Sequence, residues 1–298
     1  MQMQDKIKKY YDIFELNVKR LDTVTESNSS DVYILTLVGG KKVVLKIPFN
    51  SLKLEREKKA LELLHGKVSV PEVIKYYNGD NLIPGALLLS YMNGIPLTRN
   101  VTEELAYQMG VMLAKIHDVQ LKKYGEIETE GERDNPSIYL DNLKKMYNRN
   151  QEFCERAMDS RKLSICDEIF HYYFSKFPIP GNPCLLHSDY RMGNILVKGS
   201  EVVGVIDFEV ANAGAAGEDF SILESEVFNV YAGTREKFSE GYKSIRKLPD
   251  LDNTLPFYKF LTAFTRIGWC VKRSKTNESF YFEFINQIDR IIEKVSFD

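Results

Sequence analysis

The sequence lacks most of what would place it in a special class. Its four cysteines, Cys154, Cys166, Cys184 and Cys270, form no Cys-x-x-Cys pair and have no neighbouring histidine at metal-ligand spacing. That pattern argues against structural zinc and for reduced, mostly buried thiols. Neither sign of charge is in excess: 40 Lys and Arg against 42 Asp and Glu leave a formal net charge of -2. Non-specific attraction to nucleic acid or to an anionic membrane is therefore not expected. No apolar run approaches the ~18 to 20 residues of a membrane span, and the opening "MQMQDKIKKYYDIF" has no signal-peptide core. The expected compartment is the cytoplasm. Internal repeats and low-complexity segments are missing too.

What remains is ordinary globular composition over 298 residues, enough for one large or two modest domains. The amino-terminal part reads as strands with one helix among them. "DVYILTLVGGKKVVLKI" is two β-rich runs joined at Gly39 and Gly40, a pair that tolerates the positive φ of a tight hairpin turn. Ser51 is placed to cap a helix over "LKLEREKKALELLHG", whose last glycine suits a carboxyl-terminal cap. "EVIKYY" and "ALLLSYM" complete a small sheet. From Asn100 the pattern turns helical, with Asn100 and Glu103 spaced as a capping box and Leu105, Met109, Met112 and Ile116 on one face. The change near Ile95-Pro96 marks a boundary, giving an α+β protein with a β-rich lobe of residues 1–92 and a mainly helical lobe of residues 93–298.

Chemistry concentrates at four places. In "VVLKIP" a lysine, Lys46, sits inside a β-branched strand, where its ammonium needs an anion unless the strand is an edge that reaches solvent. On the following helix Leu54, Glu57, Leu61 and Leu64 share one face, which aims the Glu57 carboxylate at the sheet that carries Lys46. In "LLHSDYRMGNILV", Asp189 and Asn194 are five residues apart around a loop. The strand after Asn194 turns at Gly199 and returns as "VVGVID", bringing Asp207 back beside Asn194. A carbonyl oxygen next to a carboxylate is the hard oxygen pair that Mg²⁺ takes together with phosphate oxygens and water. Asp189 is then placed to orient a hydroxyl and accept its proton. Each piece alone is weak, but in this order they supply a phosphate clamp, its support, a base and two metal ligands for phosphoryl transfer.

"LLHSDYRMGNILVKGSEVVGVIDFE" resembles the signature of the aminoglycoside phosphotransferase family, the small-molecule branch of the protein-kinase-like fold. The likeness runs from "VVLKI" and "EREKKALELL" through "LAKIHDV" to "IDFE" and Asp219. It implies a two-lobe kinase-like fold with Asp189 as catalytic base, Asn194 and Asp207 as Mg²⁺ ligands, Lys46 on the phosphates of ATP or GTP, and Glu57 supporting Lys46. It also implies that Ser90, Tyr91 and Met92 link the lobes and contact the purine. Two features depart from the family pattern: Ser188 stands where the family usually has glycine, and "NAGAAGEDF" replaces a Gly-Asp-Pro stretch. The turn that would cover the phosphates, "TESNSSDVY", has no glycine, so Asn28, Ser29 and Ser30 must supply turn conformation and hydroxyl contacts.

The remaining polar residues admit plainer roles. His187 reads as structural, its ring bonded to nearby backbone. Arg191 fits both neutralisation of charge on a transferring phosphoryl group and a solvated loop cation. His117, the "HYYF" cluster and Trp269 read as packing residues. Three functions compete: a small-molecule kinase, a protein kinase and an inactive nucleotide-binding regulator. The short segment from Asp207 to Asp219 leaves no room for a protein kinase's activation segment, and none of the five polar residues is lost, as inactivity would lead one to expect. The acceptor is expected to be a hydroxylated small molecule. Between Glu201 and Thr234 there are Glu201, Asp207, Glu209, Glu218, Asp219, Glu224 and Glu226 but no Lys or Arg, which favours a cationic antibiotic (aminoglycoside or macrolide) or amino alcohol.

Overall fold

The computed structural model describes residues 3–25 and 29–295. In chain order the elements are α1 (Met3–Ile13), β1 (Val18–Val24), β2 (Ser30–Leu37), β3 (Lys42–Pro48), α2 (Ser51–Leu64), β4 (Val73–Gly79) and β5 (Pro84–Ser90). Next come β6 (Ile95–Pro96), α3 (Glu103–His117), α4 (Pro136–Cys154), α5 (Ser160–Lys176), β7 (Cys184–Leu186), β8 (Ile195–Lys198) and β9 (Glu201–Val205). The chain ends with β10 (Asn212–Gly214), α6 (Phe220–Leu223), α7 (Thr234–Lys243), α8 (Leu251–Lys272) and α9 (Ser279–Lys294). Among the described residues no helix is long and apolar enough to cross a membrane. The result is a mixed fold with an antiparallel sheet lobe and a helical lobe, as the sequence led us to expect.

The chain forms two compact units. One comprises residues up to Val119 with His187–Asn212 and Tyr231–Arg246. Its antiparallel sheet has the order β1-β2-β3-β5-β4. Tyr10 and Phe14 bury against Leu35, Leu45 and Leu88 on one face of this sheet. Gly39 and Gly40 take φ values of +102° and +89° in the β2-β3 turn, the conformation expected of that pair. A second small sheet has the order β6-β8-β9, and α3 and α7 cross closely. At that crossing any side chain on Gly110 or Gly241 would collide with the backbone of Phe238 or Tyr107.

Two expected helix starts shift. Asn50, extended at φ -153°, accepts the Lys53 amide and caps α2, because Ser51 is already helical. Thr102 caps α3 by accepting the Leu105 amide, because Asn100 sits in a left-handed turn at φ +59° and cannot serve as the extended cap.

The other unit comprises Gln120–Leu186, Ala213–Val230 and the chain from Lys247 on. Its core is aromatic: Tyr147 stacks on Phe170 at 4.0 Å between centroids and on Phe264 at 4.6 Å. All four cysteines are buried, and none forms a disulfide. Tyr173 and Phe174 of "HYYF" pack at the edge of this core, but Trp269 is 37% exposed and leans on Phe280, a surface position rather than the core one expected. The expected division at residue 92 follows the change from strands to helices, whereas compactness groups His187–Asn212 with the sheet.

Candidate active site

β3 lies inside its sheet, between β2 and β5, so Lys46 cannot reach solvent past an edge. Its side chain is 6% exposed and its Nζ lies 2.9 Å and 2.7 Å from the two oxygens of Glu57. Asp207 Oδ1 is 2.5 Å from the same ammonium, and Glu209 Oε2 is 3.7 Å away. The buried Glu57 is on the inner face of α2, as the spacing predicted. Burial alone would lower the Lys46 pKa, but Glu57, Asp207 and Glu209 outweigh it and hold the ammonium charged. Burial pushes Glu57 up despite Lys46, whereas at Asp207 the ammonium outweighs burial and lowers the carboxyl's pKa. Glu57, Asp207 and Glu209 offer oxygens within 4.8 Å of one another.

The loop after β7 is braced by its own polar groups. The Asp189 amide donates to His187 Nδ1 at 3.3 Å, so the other ring nitrogen, Nε2, is the donor to the Ile206 carbonyl at 3.0 Å. His187, fully buried against Phe208, therefore has the structural role expected of it. Asn194 Nδ2 donates to the Asp189 carbonyl at 2.9 Å and to Asp189 Oδ2 at 3.1 Å, and Arg191 Nε lies 3.2 Å from that oxygen. The hairpin of β8 and β9 continues one bond further, from the Ile206 amide to the Asn194 carbonyl, which brings Asp207 back to this loop. Asp207 takes φ +69°, a left-handed conformation that costs about 1–2 kcal/mol in a residue with a Cβ. Such strain clusters at functional sites.

The other sequence-predicted positions are more peripheral. Ser29 donates to Glu209 Oε1. Ser30 is buried at the start of β2, opposite Pro48. Ser90 ends β5 with its hydroxyl accepting the Glu72 amide, Tyr91 lies under the Lys42 ammonium, and Met92 packs at Gly204. None of these last three joins the carboxylate cluster. Asn28 lies outside the described residues. All the described positions lie in the sheet-bearing unit.

The site thus joins a strand lysine clamped by a helix glutamate to a loop Asp and Asn tied to the segment of a third carboxylate. Residues 21–253 match the model of the phosphotransferase enzyme family. The chain belongs to that family. Among curated protein sequences none matches it. Among solved structures, a thermostable mutant of aminoglycoside phosphotransferase APH(4)-Ia in its apo form aligns over 98% of this chain and 99% of its own, with a TM-score of 0.75 at 15% identity. The same enzyme in a ternary complex with AMP-PNP and hygromycin B aligns over 96% and 97%, with a TM-score of 0.74 at 15% identity. Macrolide 2'-phosphotransferase MphH from Brachybacterium faecium aligns over 99% and 100%, with a TM-score of 0.64 at 14% identity. At these identities the likeness carries the fold.

Against the family pattern, the phosphotransferase's Ser188 is informative. Its φ is +64°, the region where glycine is at home, and its hydroxyl accepts the Asn212 amide at 2.9 Å. The pairing of Glu209 with Lys53 was not legible in the sequence. Glu209 is 4% exposed and takes Lys53 Nζ at 2.5 Å. The available signal was spacing: Lys53 is four residues before Glu57, on the same helix face.

Proposed function

We propose that this phosphotransferase moves the γ-phosphoryl group of ATP or GTP onto a hydroxyl of a small molecule. The observation that carries this reading is the buried meeting of Lys46 with Glu57 and Asp207, one ladder bond from the Asn194 that braces Asp189. Lys46, held charged by its carboxylates, would contact the phosphates. Asn194 and Arg191 converge on Asp189 Oδ2 and so orient the carboxylate that would accept the acceptor hydroxyl's proton. Arg191 would also offset charge on the phosphoryl group in flight. Ser29 and Ser30 would lie beside the phosphates, and Ser90, Tyr91 and Met92 beside the purine.

Asn194 and Asp207 would hold Mg²⁺. The residues fit that ion: the Asn194 amide nitrogen is spent on Asp189, leaving its Oδ1 as the group to offer, and Lys46 keeps Asp207 ionised. Bound there, the ion would neutralise phosphate charge. For the acceptor, the acidic run argues less than its count suggests. Glu209 is engaged by Lys53, Glu218 by Tyr139, and Glu224 lies 3.8 Å from Lys259. A singly cationic hydroxylated acceptor is the reading we favour.

The test is a nucleotide-turnover screen against hydroxylated antibiotics, amino alcohols, sugars and nucleosides. Asp189→Asn keeps the shape but cannot take the proton, so turnover should fall by about 10² to 10⁴ with nucleotide affinity little changed. Turnover by the variant at the parent rate would remove Asp189 as base. For any acceptor found, a KM that does not rise with salt would dispose of the cationic preference.

A further inference from the structure

Lys53 and Glu57 are one turn apart on α2 and point to one side of it. Glu57 reaches Lys46, whereas Lys53 reaches Glu209. The Lys53 side chain is only 17% exposed although it lies in the first turn of its helix. The oxygen of Glu209 that Lys53 holds also accepts the Ser29 hydroxyl. The other oxygen, Oε2, has no hydrogen-bond partner among the described residues and lies 3.7 Å from the Lys46 ammonium. One carboxylate thus ties together the start of α2, the segment after Asp207 and the residue that leads into β2.

Fixing a long lysine in this way costs side-chain entropy and desolvation, which water at an exposed helix start would have spared. Charge arithmetic shows what is gained. Fully ionised, Glu57, Asp207 and Glu209 carry three negative charges against one on Lys46, a net of -2 that Lys53 brings to -1; with Glu57 protonated, as its burial favours, Lys53 brings the net from -1 to zero. Phosphates approaching Lys46 then meet less repulsion. Ser29, which leads into β2, is in turn tied to Glu209 by its hydroxyl.

We propose that Lys53 is a positioning residue for the nucleotide phosphates, holding Glu209 and, through it, Ser29 against the Lys46 cluster. The inference rests on the phosphoryl-transfer reading, which puts the phosphates at Lys46. Its test compares the binding of a nucleoside triphosphate with that of the matching monophosphate, each with Mg²⁺, by calorimetry on the full-length protein. Lys53→Met should weaken the triphosphate by about 10- to 100-fold and the monophosphate much less, and Lys53→Arg should recover most of the loss. Ser29→Ala leaves α2 untouched and covers the case in which Lys53→Met fails to fold; it should repeat the triphosphate-selective loss at a smaller size. Equal losses for the two nucleotides, or unchanged triphosphate affinity in either Lys53→Met or Ser29→Ala, would overturn the proposal. If the unaltered protein bound no triphosphate, the phosphoryl-transfer reading would fall and this inference with it. Triphosphate binding without selectivity in the variants would sink the inference alone.

Discussion

Around Lys46 the sheet-bearing unit buries an ammonium among three carboxylates, whereas around Tyr147 the helical unit buries rings against rings. The first interior fixes where charges stand, at a desolvation cost that its ion pairs only offset. The second removes large apolar side chains from water and supplies net stability. Substitutions should therefore separate: those in the aromatic interior should change stability and leave nucleotide binding alone, and those in the charged interior should do the reverse.

The largest expected effect breaks the aromatic side. Phe264 is fully buried, so Phe264→Ala should cost about 3–5 kcal/mol in a denaturant titration, with nucleotide affinity unchanged in the protein that remains folded. A loss below about 1 kcal/mol would mean that the ring stack is not what holds the helical unit. On the charged side, Glu57→Gln should cost about 1 kcal/mol or less near neutral pH, because burial already raises this carboxyl's pKa and Lys46 keeps Asp207 and Glu209. Triphosphate binding should nevertheless weaken about tenfold, because Lys46 loses its charged partner on α2 and is left to Asp207 and Glu209. A variant that loses stability but not affinity would invert the contrast.

Glu218 sharpens the comparison, since it is a carboxylate within the aromatic unit. Burial pushes its pKa up to about 7, with the Tyr139 hydroxyl opposing. A carboxyl raised in the folded state favours folding while protonated; that contribution is fully present below about 4.5 and is lost as pH rises through about 7. Glu218→Gln still accepts from Tyr139 but cannot ionise. Its melting temperature should fall less than the parent's between those two pH values, and parallel curves would remove Glu218 from the pH response. The smallest effect is expected at Ser188. Ser188→Gly relieves the left-handed backbone but loses the Asn212 bond and adds freedom to the unfolded chain, so stability should move by less than about 1 kcal/mol. A larger loss would make the hydroxyl, not the backbone, the reason a serine is tolerated there.

The parts of the site that were legible rest on local periodicity. Helical spacing put Glu57 on the face toward β3, β-branched neighbours put Lys46 in a strand, and the glycine turn of the hairpin returned Asp207 to Asn194. Glu209 is legible only as one member of an acidic run, because its partners Lys53 and Ser29 are 156 and 180 residues away in the chain. The caps at Asn50 and Thr102 were missed for a local reason: several neighbouring residues can cap, and the backbone conformation of each decides among them.

By itself the sequence determined the element types, the residues that share a face and the spacing of Asp189 and Asn194, since these depend on turns of a few residues and on side-chain periods of 3.6 and 2. Only the tertiary structure decided that β3 is interior, that Lys46 is surrounded by carboxylates from α2 and from the segment after β9, and that Lys53 joins them. Those outcomes depend on which distant segments share a desolvated space, where a charge must find a partner. Periodicity along the chain carries no record of that choice.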